Sequence, residues 1–441
     1  MKALFKIIIP AAVGLSLIAG CGGTQQGNNV SKPATAKPAV DEKIELTFYY
    51  PVQVGGPLTA TIESMAQQFT KENPNITIKP VYTGSYGDTT VKVQAAVQGG
   101  NPPDIAVLLA ADLFTFMDMD SITPLDEFIS QEGNNYISDF FPAFTANSKV
   151  DGKMYSLPFQ RSSVVLYYNK DAYKEAGLDP NKPPQTWEEL RDISKKLTKP
   201  GKWGIQIPST GPTSSTWMFQ TLALQSGKNL MSDDGKQAYF NTPDNVKALQ
   251  YWVDLTKKDK SMPAGIVDWA TTPSDFIQGK TAMMYHTTGN LTSVKKNAQF
   301  DFGVSFLPQN KQFGSPVGGG NLYIFKGIPE KNKIAAWKFM KFMTEPERAA
   351  QWSIDTGYVA VRQSAYQTEK MKAYTKEFPA ALVAKDQLQY GASELATHNS
   401  GKVAKALNDA IQRALTSEVD PATVLKQAQE EADKALAPFK K

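Results

Sequence analysis

The sequence predicts an α/β fold of two lobes, and three observations lead to that prediction. Segments rich in β-forming residues alternate with amphipathic helical segments along the chain. Some strand segments are almost continuously apolar, as expected of strands that helices cover on both faces. The chain has 441 residues, and the roughly 400 that follow its polar amino-terminal segment are too many for one core of ~100–200 residues.

The first lobe is predicted from a β-α-β-α-β order that begins at residue 44. Its strands are predicted over residues 44–50, 76–82 and 104–109. The helices between them are predicted over residues 59–72 and 89–98. The apolar residues of the first helix recur at spacings of three and four, which predicts one buried face packed on the sheet. Asn, Gly and Pro residues end both helices.

The same alternation recurs in the second half of the chain. Strands are predicted over residues 164–171, 282–285, 301–306 and 322–325. Helices are predicted from residue 186 onward, over 334–343 and over 403–416. Thr186, with Glu189 three residues later, has the capping-box pattern of a helix start. A second α/β lobe, joined to the first by short crossings, accounts for these elements.

The amino terminus has the charge order and length of a secretory signal. Lys2 and Lys6 precede an apolar run over residues 7–19, which is too short to span a bilayer comfortably. Cys21, the only cysteine, directly follows a small-residue pair at the end of this run and resembles the modified cysteine of bacterial lipoproteins. Cleavage before Cys21 and lipidation of its thiol would hold the protein at a membrane surface. The alternative is an ordinary signal peptide with a chance cysteine.

The composition after Cys21 predicts a tether and argues against one class of partner. Residues 22–43 are mainly Gly, Gln, Asn, Ser, Pro, Ala and Thr, which cannot bury enough surface to order themselves. The chain carries 47 Lys and Arg against 43 Asp and Glu, and neither sign forms blocks. Nothing in this charge pattern indicates a nucleic-acid partner.

Several motifs resemble family 1 extracellular solute-binding proteins of ABC importers, including the glycerol-3-phosphate and maltose-type sugar binders. The first motif joins FTKENPNI at 69–76 to GGNPPDI at 99–105. The most specific motif joins LYYNKDAY at 166–173, AGLDP at 176–180 and PPQTWEEL at 183–190. GKTAMM at 279–284, GGG at 318–320 and TGYVAV at 356–361 continue the match in the expected order.

The resemblance implies a type II periplasmic-binding-protein-like fold, with each lobe a β-sheet flanked by helices and the ligand cleft at the hinge. Residues 1–20 would be the signal peptide and 21–43 the lipid-anchored linker. The N-terminal lobe would comprise residues 44–163 and 291–344, and the C-terminal lobe 164–290 and 345–441. The closed form would dock on the importer's permease, because a ligand favours closure only through contacts with both lobes. A monomer without cofactor or metal is expected.

The resemblance also implies which residues contact a ligand. Sugars and polyols present hydroxyls and weakly apolar faces, so their sites need planar hydrogen-bonding groups and aromatic platforms. By position, the expected contacts are Tyr86, Ser162, Trp217, Thr288 or Asn290 beside Gly289, Gly319, Gly320 and Tyr358. For the aromatic residues the alternative is ordinary core packing, and for the glycines a flexible turn. The glycine run lacks the Lys and Ser or Thr of a phosphate-binding loop.

Two departures from the glycerol-3-phosphate binders bear on the ligand. Where they have a Glu after the third strand, this chain has Ala110 and Ala111, with Asp112 the nearest carboxylate. The segment over residues 396–400 has no counterpart of their late Arg, and Arg161 is the one cation expected near the cleft. A buried phosphate needs Arg, Lys or backbone amides. The sequence therefore favours a carbohydrate over glycerol-3-phosphate or a glycerophosphodiester, which stays the alternative.

Two other classes of function compete with solute binding. A secreted glycoside-acting enzyme would need two carboxylates facing across a sugar. Close pairs exist at Asp118 with Asp120 and at Asp233 with Asp234, but such pairs are typical of solvated loops. There is no Gly-x-Ser-x-Gly motif, and 2 His and 1 Cys are few for nucleophile or metal chemistry. A purely structural surface lipoprotein is the third class, and it would have no use for a cleft. We therefore expect a protein that is not an enzyme.

Overall fold

The computed structural model describes residues 43–55, 58–133 and 135–440. Its strands are β1 Ile44–Tyr50, β2 Ile76–Tyr82, β3 Ile105–Leu109, β4 Lys149–Val150, β5 Lys153–Met154, β6 Leu157–Asn169, β7 Met283–Thr287, β8 Phe302–Ser305, β9 Ser315–Ile324 and β10 Gly391–Ser393. Its first nine α-helices are α1 Leu58–Glu72, α2 Tyr86–Gln98, α3 Leu113–Asp118, α4 Asp126–Ser130, α5 Pro142–Thr145, α6 Lys170–Glu175, α7 Trp187–Leu197, α8 Gly211–Gln225 and α9 Pro243–Lys257. The later ones are α10 Thr272–Ile277, α11 Leu291–Asn297, α12 Glu330–Met343, α13 Pro346–Thr356, α14 Glu369–Glu377, α15 Val383–Gln387, α16 Ser400–Thr416 and α17 Pro421–Leu436.

A mixed β-sheet runs through the molecule in the order β2-β1-β3-β9-β6-β7. Strands β1, β2 and β3 pair in parallel, whereas β9 pairs antiparallel with both β3 and β6. The long strand β6 joins two groups of strands. Its first half, up to Ser163, pairs with β9, and its second half, from Val164 onward, pairs with β7 and β8. This division along one strand gives the sheet two halves.

Strand β3 shows why an apolar run becomes a central strand here. All five of its residues are buried, and successive side chains of a strand point to opposite faces. Ile105, Val107 and Leu109 accordingly belong to the large apolar core, and Ala106 and Leu108 to a second, smaller one. Helices therefore cover both faces of the sheet at this point, as the run predicted.

The predicted alternation of strands and helices is confirmed, and the predicted elements differ from the structure mainly at their ends, but several helices, among them α8, α9 and α17, were not predicted. Helix α2 begins at Tyr86, three residues before the predicted start, because Ser85 and Asp88 form a capping box there. Thr186 caps α7 by accepting a hydrogen bond from the backbone N–H of Glu189. Strands β6 and β9 begin at Leu157 and Ser315, about seven residues before their predicted starts. Both contain polar or Gly residues that hide the strand pattern.

Strand β8 bears on where the lobes divide. It pairs with β6 over Leu166–Asn169, and the residues Leu166–Tyr168 among them also pair with β7. The boundary expected at residue 290 separates β7 from β8, although both pair with the second half of β6.

Cys21 and the predicted signal lie outside the described residues. Among the described helices, none is both long and apolar enough to cross a membrane.

Candidate ligand-binding site

Three adjoining pockets lie where β6, β9 and several loops meet. The central cavity has a volume of about 40 Å³ and is lined by Gln53, Val54, Tyr86, Leu109, Ser162, Thr213, Trp217, Trp269, Thr287, Gly319, Tyr358 and Glu394. An outer pocket of about 310 Å³ shares Gln53, Thr213, Trp217 and Trp269 with it. A side pocket of about 230 Å³ shares Leu109, Thr213 and Glu394 with it. We call the three together the cleft.

Four aromatic side chains form much of the central cavity wall. Tyr86 is the first residue of α2, and its hydroxyl donates a hydrogen bond to Gln160 Oε1 at 2.8 Å. Trp217 lies on α8, and its ring centroid is 6.0 Å from that of Trp269. Tyr358 follows α13 and packs on Trp352 with a centroid distance of 6.0 Å. Rings at these positions offer both apolar faces and polar edges to a ligand.

The run Gly318–Gly320 on β9 makes room for two of these rings. A Cβ atom at Gly318 would lie 2.7 Å from the Trp217 ring, and one at Gly320 would lie 2.9 Å from the Tyr86 ring. At Gly319 the backbone has a φ of 95°, and a Cβ would lie 1.9 Å from the Gln160 carbonyl oxygen. Glycine is therefore required at all three positions. Gly319 lines the cavity, whereas Gly320 lies behind Tyr86.

The indole N–H of Trp217 is a free donor at the cavity wall. Its Nε1 atom is buried and has no hydrogen-bond partner among the described residues. Buried polar groups are normally paired, and an unpaired one in a cavity indicates a group supplied from outside. Trp217 is 5 % exposed and lines the central cavity, so its ring is held in place by its surroundings.

Two further predicted contact residues, Ser162 and Asp112, line the cleft with polar side chains. Ser162 on β6 is 2 % exposed and lines the central cavity. Asp112 lines the side pocket, where the hydroxyl of Thr90 donates a hydrogen bond to its Oδ2 at 2.7 Å. Burial raises the pKa of Asp112 to about 6 against the opposing effect of that hydrogen bond. Tyr86, Trp217, Gly319 and Tyr358 complete the set of predicted residues that line the cleft.

Arg161 was expected to contact ligand, but its side chain faces the core instead. The side chain is fully buried, and its Nη1 donates to the Gly319 carbonyl at 3.2 Å and to Asn321 Oδ1 at 3.3 Å. Its Nη2 donates to the Val317 carbonyl at 3.3 Å, and the guanidinium carbon lies 5.4 Å from the Phe144 ring centroid. Since β6 residues alternate between faces, Ser162 faces the cavity and Arg161 faces away.

The predicted loop over residues 288–290 likewise lies behind the cavity. Thr287, one residue earlier, is the residue that lines it. Gly289 packs against Tyr358, where an added Cβ would lie 3.2 Å from the ring. The Asn290 amide donates to His286 Nδ1 at 2.8 Å, and Thr288 is 1 % exposed. None of these three residues lines the described cleft, so they support the wall from behind.

Glu394 is a cleft residue that sequence reasoning missed. It follows β10, is 5 % exposed, and lines both the central cavity and the side pocket. Burial raises the pKa of its carboxyl to about 8, while the positive charge of Arg161 opposes the rise and Asp112 adds to it. The sequence pointed to the segment over residues 396–400, which begins two residues later. Gln53, Val54, Leu109, Thr213, Trp269 and Thr287 were also missed, and they carry no motif that would mark them.

Comparisons with known proteins agree with this architecture. A family model described as bacterial extracellular solute-binding protein matches residues 64–380. The sn-glycerol-3-phosphate-binding periplasmic protein UgpB of Salmonella typhimurium is 32 % identical over 346 residues, covering 76 % of this chain and 78 % of that protein. The UgpB of Salmonella paratyphi A is 30 % identical over 404 residues, covering 88 % and 91 %.

Two solved structures show the same fold. UgpB from Mycobacterium tuberculosis in complex with glycerophosphocholine superposes with a TM-score of 0.80 at 24 % identity, covering 90 % of this chain and 99 % of that one. An ABC transporter solute-binding protein from Thermotoga lettingae bound with α-D-tagatose gives 0.79 at 22 % identity, covering 89 % and 100 %. The two-lobe, type II periplasmic-binding-protein fold expected from the sequence is thereby confirmed. The chain belongs to the bacterial extracellular solute-binding protein family.

Proposed function

We propose that this protein captures a carbohydrate in its cleft and delivers it to the permease of an ABC importer. The observation that carries the proposal is the central cavity, whose lining includes four aromatic side chains and Glu394, with Trp217 Nε1 and Glu394 Oε2 unpaired among the described residues. Apolar ring faces suit sugar C–H groups, and the isolated donor and acceptor suit hydroxyls. A family of binding proteins also argues against an enzyme, and the Thermotoga lettingae relative was solved with a monosaccharide.

The two lobes of this protein are proposed to divide within β6. Ser163 is the last β6 residue paired with β9, and Val164 is the first paired with β7. Pairing of β8 with β6 favours assigning Phe302–Ser305 to the C-terminal lobe, rather than to the N-terminal lobe as the sequence-based boundaries have it. Ser162 and Gly319 would then belong to one lobe and Trp217 and Trp269 to the other, and all four line the central cavity.

A lipid anchor at Cys21 is proposed to hold the protein at the extracytoplasmic face of the membrane. Tethering keeps a binding protein within reach of its permease and raises its effective concentration there. Expression of the Cys21→Ser variant in a bacterial host should move the protein from the membrane fraction to the soluble extracytoplasmic fraction, because the thiol is the acylation point. An unchanged membrane fraction would contradict the anchor without affecting the cleft.

A thermal-shift screen tests the function directly. The ligand set comprises mono- and oligosaccharides, glycerol, sn-glycerol-3-phosphate and glycerophosphocholine, because a ligand that binds only the folded state raises the melting temperature. A carbohydrate that raises it is the expected result. A rise with sn-glycerol-3-phosphate or glycerophosphocholine alone would favour the second candidate, which the printed ligands of the UgpB relatives support. Turnover of a glycoside by the purified protein would instead indicate an enzyme.

Trp217 provides the first mutational test of the cleft. We expect Trp217→Ala to weaken binding of the identified ligand by ~1–3 kcal/mol, about 5- to 150-fold, because an aromatic platform and a hydrogen-bond donor are lost together. Isothermal titration calorimetry measures the affinity, and circular dichroism checks the fold. Trp217→Phe separates the two contributions, since it keeps a ring and removes the N–H. Unchanged affinity in both variants would remove Trp217 from the site.

A further inference from the structure

Glu394 is the one Glu that lines the described cleft, and it lies where the central cavity meets the side pocket. Its Oε2 atom is buried and has no hydrogen-bond partner among the residues that the structure describes. An unpaired acceptor of this kind costs free energy until a donor reaches it. Glu394 and Trp217 Nε1 thus present one open acceptor and one open donor to the same small cavity.

The backbone around Glu394 is fixed, so the direction of its carboxyl is also fixed. Strand β10, directly before it, pairs with β9 over Ser315–Val317. The side chain of Gln220 on α8 donates to the Ser393 carbonyl at 2.8 Å and accepts from the Leu395 N–H at 2.9 Å. Asn147 donates to the Glu394 carbonyl at 3.3 Å. A carboxyl held this way is preorganised for recognition.

The side chains that line the cleft offer an anionic ligand no cationic partner among the described residues. Glu394, Asp112 and Asp268 line its three pockets, whereas no Lys or Arg does among the described residues. Arg161, the nearby buried cation, uses both Nη atoms on β9 carbonyls and Asn321, and its Nε, which has no partner among the described residues, belongs to a side chain that does not line the cleft. The amino-terminal turns of α8 and α16 line the side pocket and favour negative charge, but the carboxyl of Asp112 already lies there.

We propose that Glu394 is the specificity-determining residue of the cleft, accepting a hydrogen bond from a hydroxyl or ammonium group of the ligand and excluding a phosphate at that position. This inference rests on the proposed function and adds the chemistry of one end of the ligand. A phosphate beside Glu394 would meet neither Lys nor Arg among the residues that line the described cleft, and its negative charge would hold the carboxyl in its uncharged form. A hydroxyl or ammonium group satisfies the Oε2 atom instead.

The test compares matched ligands that differ at one group. The starting set is glucose, glucosamine and glucose-6-phosphate, with glycerol, 3-amino-1,2-propanediol and sn-glycerol-3-phosphate, and it is extended to any carbohydrate that the thermal-shift screen identifies. Calorimetry on the full chain should give affinities for the parent or amine at least about tenfold above those for the phosphate. A tighter parent identifies a hydroxyl at Glu394, and a tighter amine an ammonium group. Both results support the proposal.

The Glu394→Gln variant then assigns the effect to this residue. It should weaken binding of the preferred ligand about tenfold and narrow the difference in affinity between that ligand and the phosphate ester, since one carboxyl oxygen is replaced by an NH₂ group with little change of shape. Glu418→Gln is the matched control, because the Glu418 side chain is 97 % exposed and lies outside the cleft. Equal effects of the two substitutions would overturn the assignment.

Other outcomes separate this inference from the proposed function. Phosphate esters that bind wild-type protein as tightly as their parents would overturn the inference and leave solute capture standing. Failure of every carbohydrate and amine to bind would overturn the carbohydrate proposal and the inference with it. The wild-type ratio of parent to phosphate affinity decides the question even if Glu394→Gln does not fold.

Discussion

Replacing Arg161 with Met should destabilise the protein by ~3–5 kcal/mol while leaving the cavity-lining side chains in place. The guanidinium is fully buried and joins β6 to β9 through three hydrogen bonds. Its positive charge also opposes the rise in the pKa of Glu394. Removing it leaves carbonyl groups and a buried carboxyl without their positive partner. Chemical denaturation measures the free energy of unfolding. A loss below about 1 kcal/mol would contradict a structural role for Arg161.

A double-mutant cycle shows whether Glu394 is the group that Arg161 compensates. If the two charges are coupled, Arg161→Met combined with Glu394→Gln should be more stable than the sum of the single changes predicts. Additive losses would mean that Arg161 acts through its β9 hydrogen bonds alone. The ligand affinity of the Arg161→Met variant provides the remaining control. Substitution of a residue that contacts the ligand would reduce affinity far more than substitution of a residue that faces the core.

The second large effect concerns acid stability, and it arises at His286. Burial lowers the pKa of His286 to about 4, although its hydrogen bond with the Trp269 carbonyl opposes the shift. Asn290 donates to Nδ1, so the proton resides on Nε2, which donates to Trp269 at 3.1 Å. The unfolded chain therefore binds a proton from about pH 6.5 downward, and the folded chain only near pH 4.

Stability is accordingly expected to fall by on the order of 3 kcal/mol as pH decreases from 6.5 to 4. Denaturation at a series of pH values measures this slope, and His286→Gln should remove this contribution within the window. The Trp269 ring packs against His286 with a centroid distance of 4.1 Å and an interplanar angle of 40°. Protonation should thus also disturb one wall of the cleft and weaken ligand binding. An identical slope in wild type and variant would show that another group titrates.

The alternation of apolar segments was sufficient to predict the fold, because helix and strand periodicities are local properties of the chain. Strands β1 and β2 have the predicted bounds, since Asn and Pro residues punctuate the sequence there. The first residues of β6 and β9 were not predicted as strand, because Gln160, Arg161 and the Gly318–Gly320 run lack the pattern of β-forming residues that is typical of strands. Their strand conformation depends on partners far along the chain, which no local pattern reveals.

The site was predictable only through the resemblance to the family. Tyr86, Ser162, Trp217 and Tyr358 line the cavity; Tyr358 lies in a motif, Ser162 lies four residues before one, and Tyr86 and Trp217 were assigned by position. Arg161 was misplaced because alternation along β6 puts it on the opposite face from Ser162. Trp269 and Glu394 were missed because loop packing carries them to the cavity. The same loop packing puts Thr287 at the wall instead of Thr288 or Asn290.

The change of partners along β6 also has a mechanical consequence. Within one peptide bond, between Ser163 and Val164, the strand passes from the β9 ladder to the β7 ladder. Each ladder is stiff along its own length, so bending of the molecule concentrates at the junction where neither continues. Ser162 lies one residue from that junction and lines the central cavity. A solute that contacts Ser162 would therefore bind next to the junction at which we expect bending of the molecule to concentrate.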